Sequence, residues 1–184
     1  IAVFRRTAAG NIIEIAREGD AVGPGPLSHI ASIRSNDSGD FVFTGSNGSG
    51  GPFFDSGLYR VSVTASNPFL IVNEGDLAPT NDVADRFFAR ISQPEINNHG
   101  DVSFTALMFD ENSLSYADNT GLFIVNNGSQ NTVTPILFEG QDTPDGTAVY
   151  GEFVSTFPID TPYPKFNDAG EIALKVNLLP DAGG

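Results

Sequence analysis

Cysteine and tryptophan are absent from the 184 residues, methionine occurs once, and only two of the nine basic residues are lysines, Lys165 and Lys175. Without cysteine there is no disulfide, no thiolate metal site and no cysteine nucleophile. No apolar run approaches the roughly 18 residues of a membrane-spanning helix, and neither a signal peptide nor a sorting motif is visible, so no membrane insertion is expected. Bases are outnumbered 9 to 23 by acids, for a formal net charge of −14. Such a surface repels phosphate backbones and anionic lipid, which argues against nucleic acid as a partner. It suits solubility, divalent cations and life outside the cell. The chain opens on Ile1 and its only methionine is Met108, which fits a processed mature chain or an excised fragment.

What is present is turn chemistry. With 20 Gly and 12 Pro, many chain reversals and short strands are expected in place of long helices. A hydrophobic share of 40% and a charged share of 17% belong to a folded soluble protein, and the length suits one domain with a real core.

One phrase recurs three times, as NDSGD at 36–40, NNHGD at 97–101 and NDAGE at 167–171. Asn opens a turn well and Gly takes the left-handed position that follows, so Asn36–Gly39, Asn97–Gly100 and Asn167–Gly170 read as hairpin corners. Alternating runs follow each. Val102, Phe104 and Ala106 alternate with Ser103 and Thr105; Ile172, Leu174 and Val176 alternate with Ala173 and Lys175; Phe41 and Phe43 hold the same positions in the first copy. A period of two predicts strands with one buried and one wet face. Strands entering the corners read as RFFARISQPEI at 86–96 and TPYPKF at 161–166.

Two further phrases recur out of phase with the first. One is IAREGD at 15–20, IVNEGD at 71–76 and ILFEGQ at 136–141; the other is IAVFR at 1–5, GLYRV at 57–61 and GLFIV at 121–125. The chain therefore reads as one all-β domain, 1–184, of three four-stranded repeats at about 1–45, 57–107 and 121–178. Four short strands per repeat point to a β-propeller-blade-like array, with a β-trefoil or β-prism as alternatives. Three blades do not close a ring, so head-to-tail stacking of terminal strands, into a ring or a filament, is the expected partnership.

The Asn-x-x-Gly-x-x-Ala-Phe pattern, with Glu-Gly-Asp upstream, resembles the bacterial tandem-repeat NxxGxxAF-containing exported proteins. The copies here read N36-x-x-G39-x-x-V42-F43, N97-x-x-G100-x-x-S103-F104 and N167-x-x-G170-x-x-A173-L174. The resemblance spans all three repeats and implies export, a bacterial cell-surface or extracellular location and a β-repeat architecture. It supplies no catalytic residue.

Reaction chemistry is sparse. Glu18, Glu74 and Glu139 invite comparison with the carboxylate pair of glycosidases, yet each holds the same repeat position. Catalytic residues are singular, so a strand-end role is expected, with the carboxylate accepting backbone N–H groups. His29 and His99 lie in separate loops, no G-x-S-x-G occurs, and no zinc-like cluster is visible. No enzyme and no required cofactor is expected. Calcium is the one cation with candidate ligands, foremost Asp110, Glu111 and Asp118, then Asp82 with Asp85 and Asp142 with Asp145, although no EF-hand loop occurs. N-x-S sequons stand at Asn36, Asn47 and Asn127, and Tyr116 and Tyr163 are the candidate exposed aromatic contacts. The expected function is that of an extracellular structural repeat protein acting through self-association, with a secreted module binding a glycan or another surface ligand as the alternative.

Overall fold

The computed structural model describes residues 1–22, 25–48, 56–65, 67–80, 86–110, 120–127, 132–151 and 164–180. Strands β1 (Ala2–Arg6) and β2 (Ile12–Arg17) form a hairpin, and β3 (Ala21–Val22) with β4 (Gly25–Pro26) a smaller one. Next, β5 (His29–Ser35), β6 (Phe41–Ser46), β7 (Ser56–Val61) and β8 (Phe69–Asn73) make an antiparallel four-stranded sheet in chain order. A five-stranded sheet follows, from β9 (Leu77–Ala78), β10 (Arg86–Ile96), β11 (Val102–Asp110), β12 (Thr120–Val125) and β13 (Val133–Phe138). The last strands are β14 (Ala148–Tyr150), β15 (Lys165–Phe166), β16 (Ile172–Ala173) and β17 (Leu178–Pro180). Here β15 pairs with β16 and β14 with β17. One sheet curls strongly into a half-barrel, and no described residue is helical.

All three Asn phrases close hairpins in one register. Arg34 faces Val42, Glu95 faces Ser103 and Lys165 faces Ala173. Within each corner Gly39, Gly100 and Gly170 take φ of 87°, 84° and 82°, the region open to glycine without steric cost. Among the described residues a β-bulge precedes the first and second corners, where Ser32 and Gln93 adopt φ of 48° and 51°. The bulge re-aims the end of each strand toward its neighbour.

The hydrogen-bonded sheets are cut out of phase with the sequence repeats. Each of the two larger sheets runs from the Asn hairpin through the Gly-Leu-aromatic strand to the Glu-Gly strand, as in β5–β8 and β10–β13. Hairpin β1–β2 is accordingly the second half of such a sheet and β15–β16 the first half.

Packing departs from the one-wet-face expectation. Val102, Phe104 and Ala106 are buried as anticipated, but the intervening Ser103 and Thr105 are buried as well. The four-stranded sheet is covered on both sides. Val3, Ile15 and Ala16 of the first hairpin pack on Phe43, Tyr59 and Val61, whereas Val42, Leu58 and Val72 on the opposite face pack on Phe88, Phe104 and Phe123. Phe43 stacks on Tyr59 and Phe104 on Phe123, each at 5.4 Å between centroids. In β6, sandwiched this way, Thr44 is buried too, where a charged side chain would be costly.

Candidate functional site: the turn ladder and the open edges

The three Asn corners, 61 and 70 residues apart, lie directly against one another. Asn36 Nδ2 donates to the Asn97 carbonyl (2.8 Å) and Asn97 Nδ2 to the Asn167 carbonyl (3.3 Å). The Asp37 N–H donates to Asn98 Oδ1 and the Asn98 N–H to Asp168 Oδ1, both at 2.7 Å. Asn98 Nδ2 donates to both Asp37 and Asp168. The Asn98 backbone N–H and Nδ2 together hold the Asp168 carboxyl below the usual carboxylate range. Two residues before each corner a charge ladder runs alongside, with Glu95 accepting from Arg34 Nε at 3.2 Å and from Lys165 Nζ at 3.4 Å.

Inside each corner the Asn side chain closes its own turn. Asn36, Asn97 and Asn167 Oδ1 each accept the N–H of the phrase's acid, Asp40, Asp101 or Glu171, at 2.9 Å. The acid then reaches forward: Asp40 accepts the Val63 N–H and Asp101 the Asn127 N–H, at equivalent places after β7 and β12. Arg60 joins these pieces, donating to the Asp40 carboxylate at 2.7 Å and to the Gly100 carbonyl at 2.8 Å. Burial pushes the Asp40 carboxyl up, but the Val63 N–H, the Arg60 guanidinium and the Ser62 hydroxyl outweigh it and hold the group below its ordinary value.

The repeated glutamates do what the repeat position implied. Glu18, Glu74 and Glu139 accept the backbone nitrogens of Ile1, Ser56 and Thr120, and Glu74 also takes the Ser56 hydroxyl. All three tie a Glu-Gly strand to the start of a Gly-Leu-aromatic strand.

Other candidate residues are dispersed. His29 opens β5, with Nδ1 3.9 Å from Glu18, while His99 lies in the second Asn corner. Asp110 closes β11 opposite Arg86. Its proposed partners Glu111 and Asp118 lie outside the described residues, as do Asp82, Asp85, Tyr116 and Tyr163. Asp145 accepts the hydroxyls of Thr143 and Thr147, and no group of three potential metal ligands occurs among the described residues. Each sequon asparagine has bonded work: Asn36 in the ladder, Asn47 on Tyr59 and Asn73, and Asn127 on the His99 carbonyl. A glycan on Nδ2 would break those bonds. A cleft of about 560 Å³ between the four- and five-stranded sheets is lined by His29, Ser32, Ser46, Glu74, Arg90 and Ser92, with no Phe or Tyr ring among the described residues of its wall.

Two edges are left open among the described residues. Strands β7 and β12 are paired on both sides, yet their counterpart β1 is paired only with β2; strands β6 and β11 are paired on both sides, yet their counterpart β16 is paired only with β15. Side chains follow suit. Tyr59 and Phe123 are fully buried, whereas Phe4 at the same position is 53% exposed.

An all-β protein whose corners, caps and strand registers recur three times is thereby defined. The chain belongs to a family of unknown function, DUF7453, which it matches over residues 1–183. No curated protein and no solved structure matches it.

Proposed function

We propose that this protein is an extracellular or surface structural subunit that works by self-association, its last hairpin pairing edge to edge with the first hairpin of another copy. Its sheets act as blades of a propeller-like array. Two are complete, and the first and last hairpins are complementary halves of a third. Head-to-tail joining of β16 to β1 of a neighbour makes the missing blade, giving a closed ring if the rotation permits and a filament otherwise. The acidic surface and the likeness to exported tandem-repeat proteins support a place outside the cell.

The observation that carries the reading is the exposure of Phe4. Carrying over the registers Phe43–Tyr59 and Phe104–Phe123 sets Leu174 of one copy opposite Phe4 of the next. Burying the exposed half of a Phe side chain contributes roughly 1 kcal/mol, and the open backbone groups of both edges gain partners.

Light scattering over a range of concentrations tests this. The wild-type chain should rise above its 19.5 kDa monomer mass, whereas Phe4→Asp, at a position the single chain leaves exposed, should stay monomeric with an unchanged melting temperature. A wild-type chain that remains monomeric throughout would contradict the reading and turn attention to the cleft at His29 and Glu74 and a ligand-binding role. Equal assembly of the variant would also contradict it.

A further inference from the structure

Resting on that self-association, we infer that Arg5 of one copy and Glu171 of the next form the ion pair that locks the joint, so that partner choice is set by charge complementarity at these two positions. Within the chain the same lock is already built once. Arg60, on β7, donates through Nη2 to Asp40 at the start of β6 and through Nη1 to the Gly100 carbonyl in the following Asn corner. Arg5, at the same place on β1, makes the second of these bonds, with Nη1 donating to the Gly39 carbonyl at 3.2 Å. It lacks the first. No carboxylate faces Arg5 among the described residues.

Glu171 is the mirror case. It holds the position of Asp40 and Asp101 in the third corner, is exposed, and among the described residues is bonded only to its own Asn167. Asp40 and Asp101 each accept a backbone N–H from the loop after the adjoining strand, Val63 and Asn127. The residue in that place after β1 is Ala8, because Gly10 N–H donates to Thr7 as Ala65 N–H donates to Ser62. The Ala8 N–H makes no backbone hydrogen bond among the described residues. An underpaired guanidinium and an open N–H thus wait on one edge, and a carboxylate with spare lone pairs on the other. Joined in the β6–β7 register, Ala173 faces Arg5 as Val42 faces Arg60, which brings Glu171 to the guanidinium. Docked, the pair is covered by the neighbouring sheets as Arg60 and Asp40 are, with side-chain exposures of 8% and 10%.

Charge reversal tests the lock on the full chain. Arg5→Glu alone and Glu171→Arg alone should each weaken assembly at least about thirtyfold, the scale of breaking a covered charge pair. An equimolar mixture of the two single variants should assemble again. Where the two kinds of chain alternate, one joint sets the two substituted positions against each other, with the charges exchanged. The next joint unites the native Arg5 of one variant with the native Glu171 of the other. Melting temperatures establish that each variant is folded. Because Arg5 also holds Gly39, the exposed Glu171→Arg supplies a second reading that leaves the monomer intact. If the wild type assembles and both variants assemble equally well, or the mixture is not rescued, the lock is wrong while self-association stands. If the wild type itself stays monomeric, self-association and the lock fall together.

Discussion

Asn97 holds the middle rung of the corner ladder and is the most constrained of the three asparagines. Its side chain accepts the N–H groups of Asp101 and His99 and donates to the Asp101 carboxylate and to the Asn167 carbonyl, and the residue is 3% exposed. Removing such a group strands buried donors and an acceptor, so Asn97→Ala should cost about 2–3 kcal/mol in denaturant unfolding. Asn167, exposed at the ladder's end, should cost under about 1 kcal/mol on the same change. A reversed order would mean that the ladder is not a stabilising unit. Asp40 adds a pH term. Its carboxyl is held below the ordinary value, so the stability it contributes is complete above the unfolded-state value near 4 and is lost as the pH falls through the lower folded one. Asp40→Asn should therefore lower stability at neutral pH and flatten part of the acid decline. An unaltered acid profile would show that the Val63, Arg60 and Ser62 contacts together do not favour the Asp40 carboxylate.

At the scale of elements, the Asn hairpins were legible because their chemistry is local. The turn needs Asn and Gly at fixed places, and β10 begins and ends where the run 86–96 begins and ends. Repetition also made the glutamate caps legible, since one role serves three positions. Burial on both faces of β11 was not legible: Ser103 and Thr105 read as a wet face, yet both are buried, and alternation alone does not say what covers a face. Nor were Arg60 or the Arg34–Glu95–Lys165 ladder visible, because a cross-repeat contact leaves no local signature. The shared 61- and 70-residue offsets of those three charges were the one available signal. The bulge ahead of the corners makes a further test. Ser32 adopts φ of 48°, a strained value for a residue with a Cβ, so Ser32→Gly should raise stability by up to about 1 kcal/mol in the same unfolding assay. A loss of stability would mean that the Ser32 side chain, not the backbone bend, matters there.

For the whole molecule, the functional reading rests on one difference: among the described residues the inner strands β6, β7, β11 and β12 pair on both sides, whereas β1 and β16 pair on one. The ladder shapes the joint too. Charges alternate along it inside the chain, from Arg34 through Glu95 to Lys165. A second copy added head to tail would bring its Arg34 beside Lys165 and its Asp37 beside Asp168. Those exposed like charges make the joint weaker than the contacts within one chain, and physiological salt screens them. The absence of cysteine permits the most direct measurement, made at that ionic strength. The β6–β7 register places Gly45 opposite Gly57, which corresponds to Val176 opposite Ala2 of the neighbour. Chains carrying Ala2→Cys and chains carrying Val176→Cys, mixed and mildly oxidised, should form a disulfide-linked dimer at twice 19.5 kDa, far faster than either variant alone. No cross-link in the mixture, or one forming equally fast between identical chains, would contradict edge-to-edge assembly.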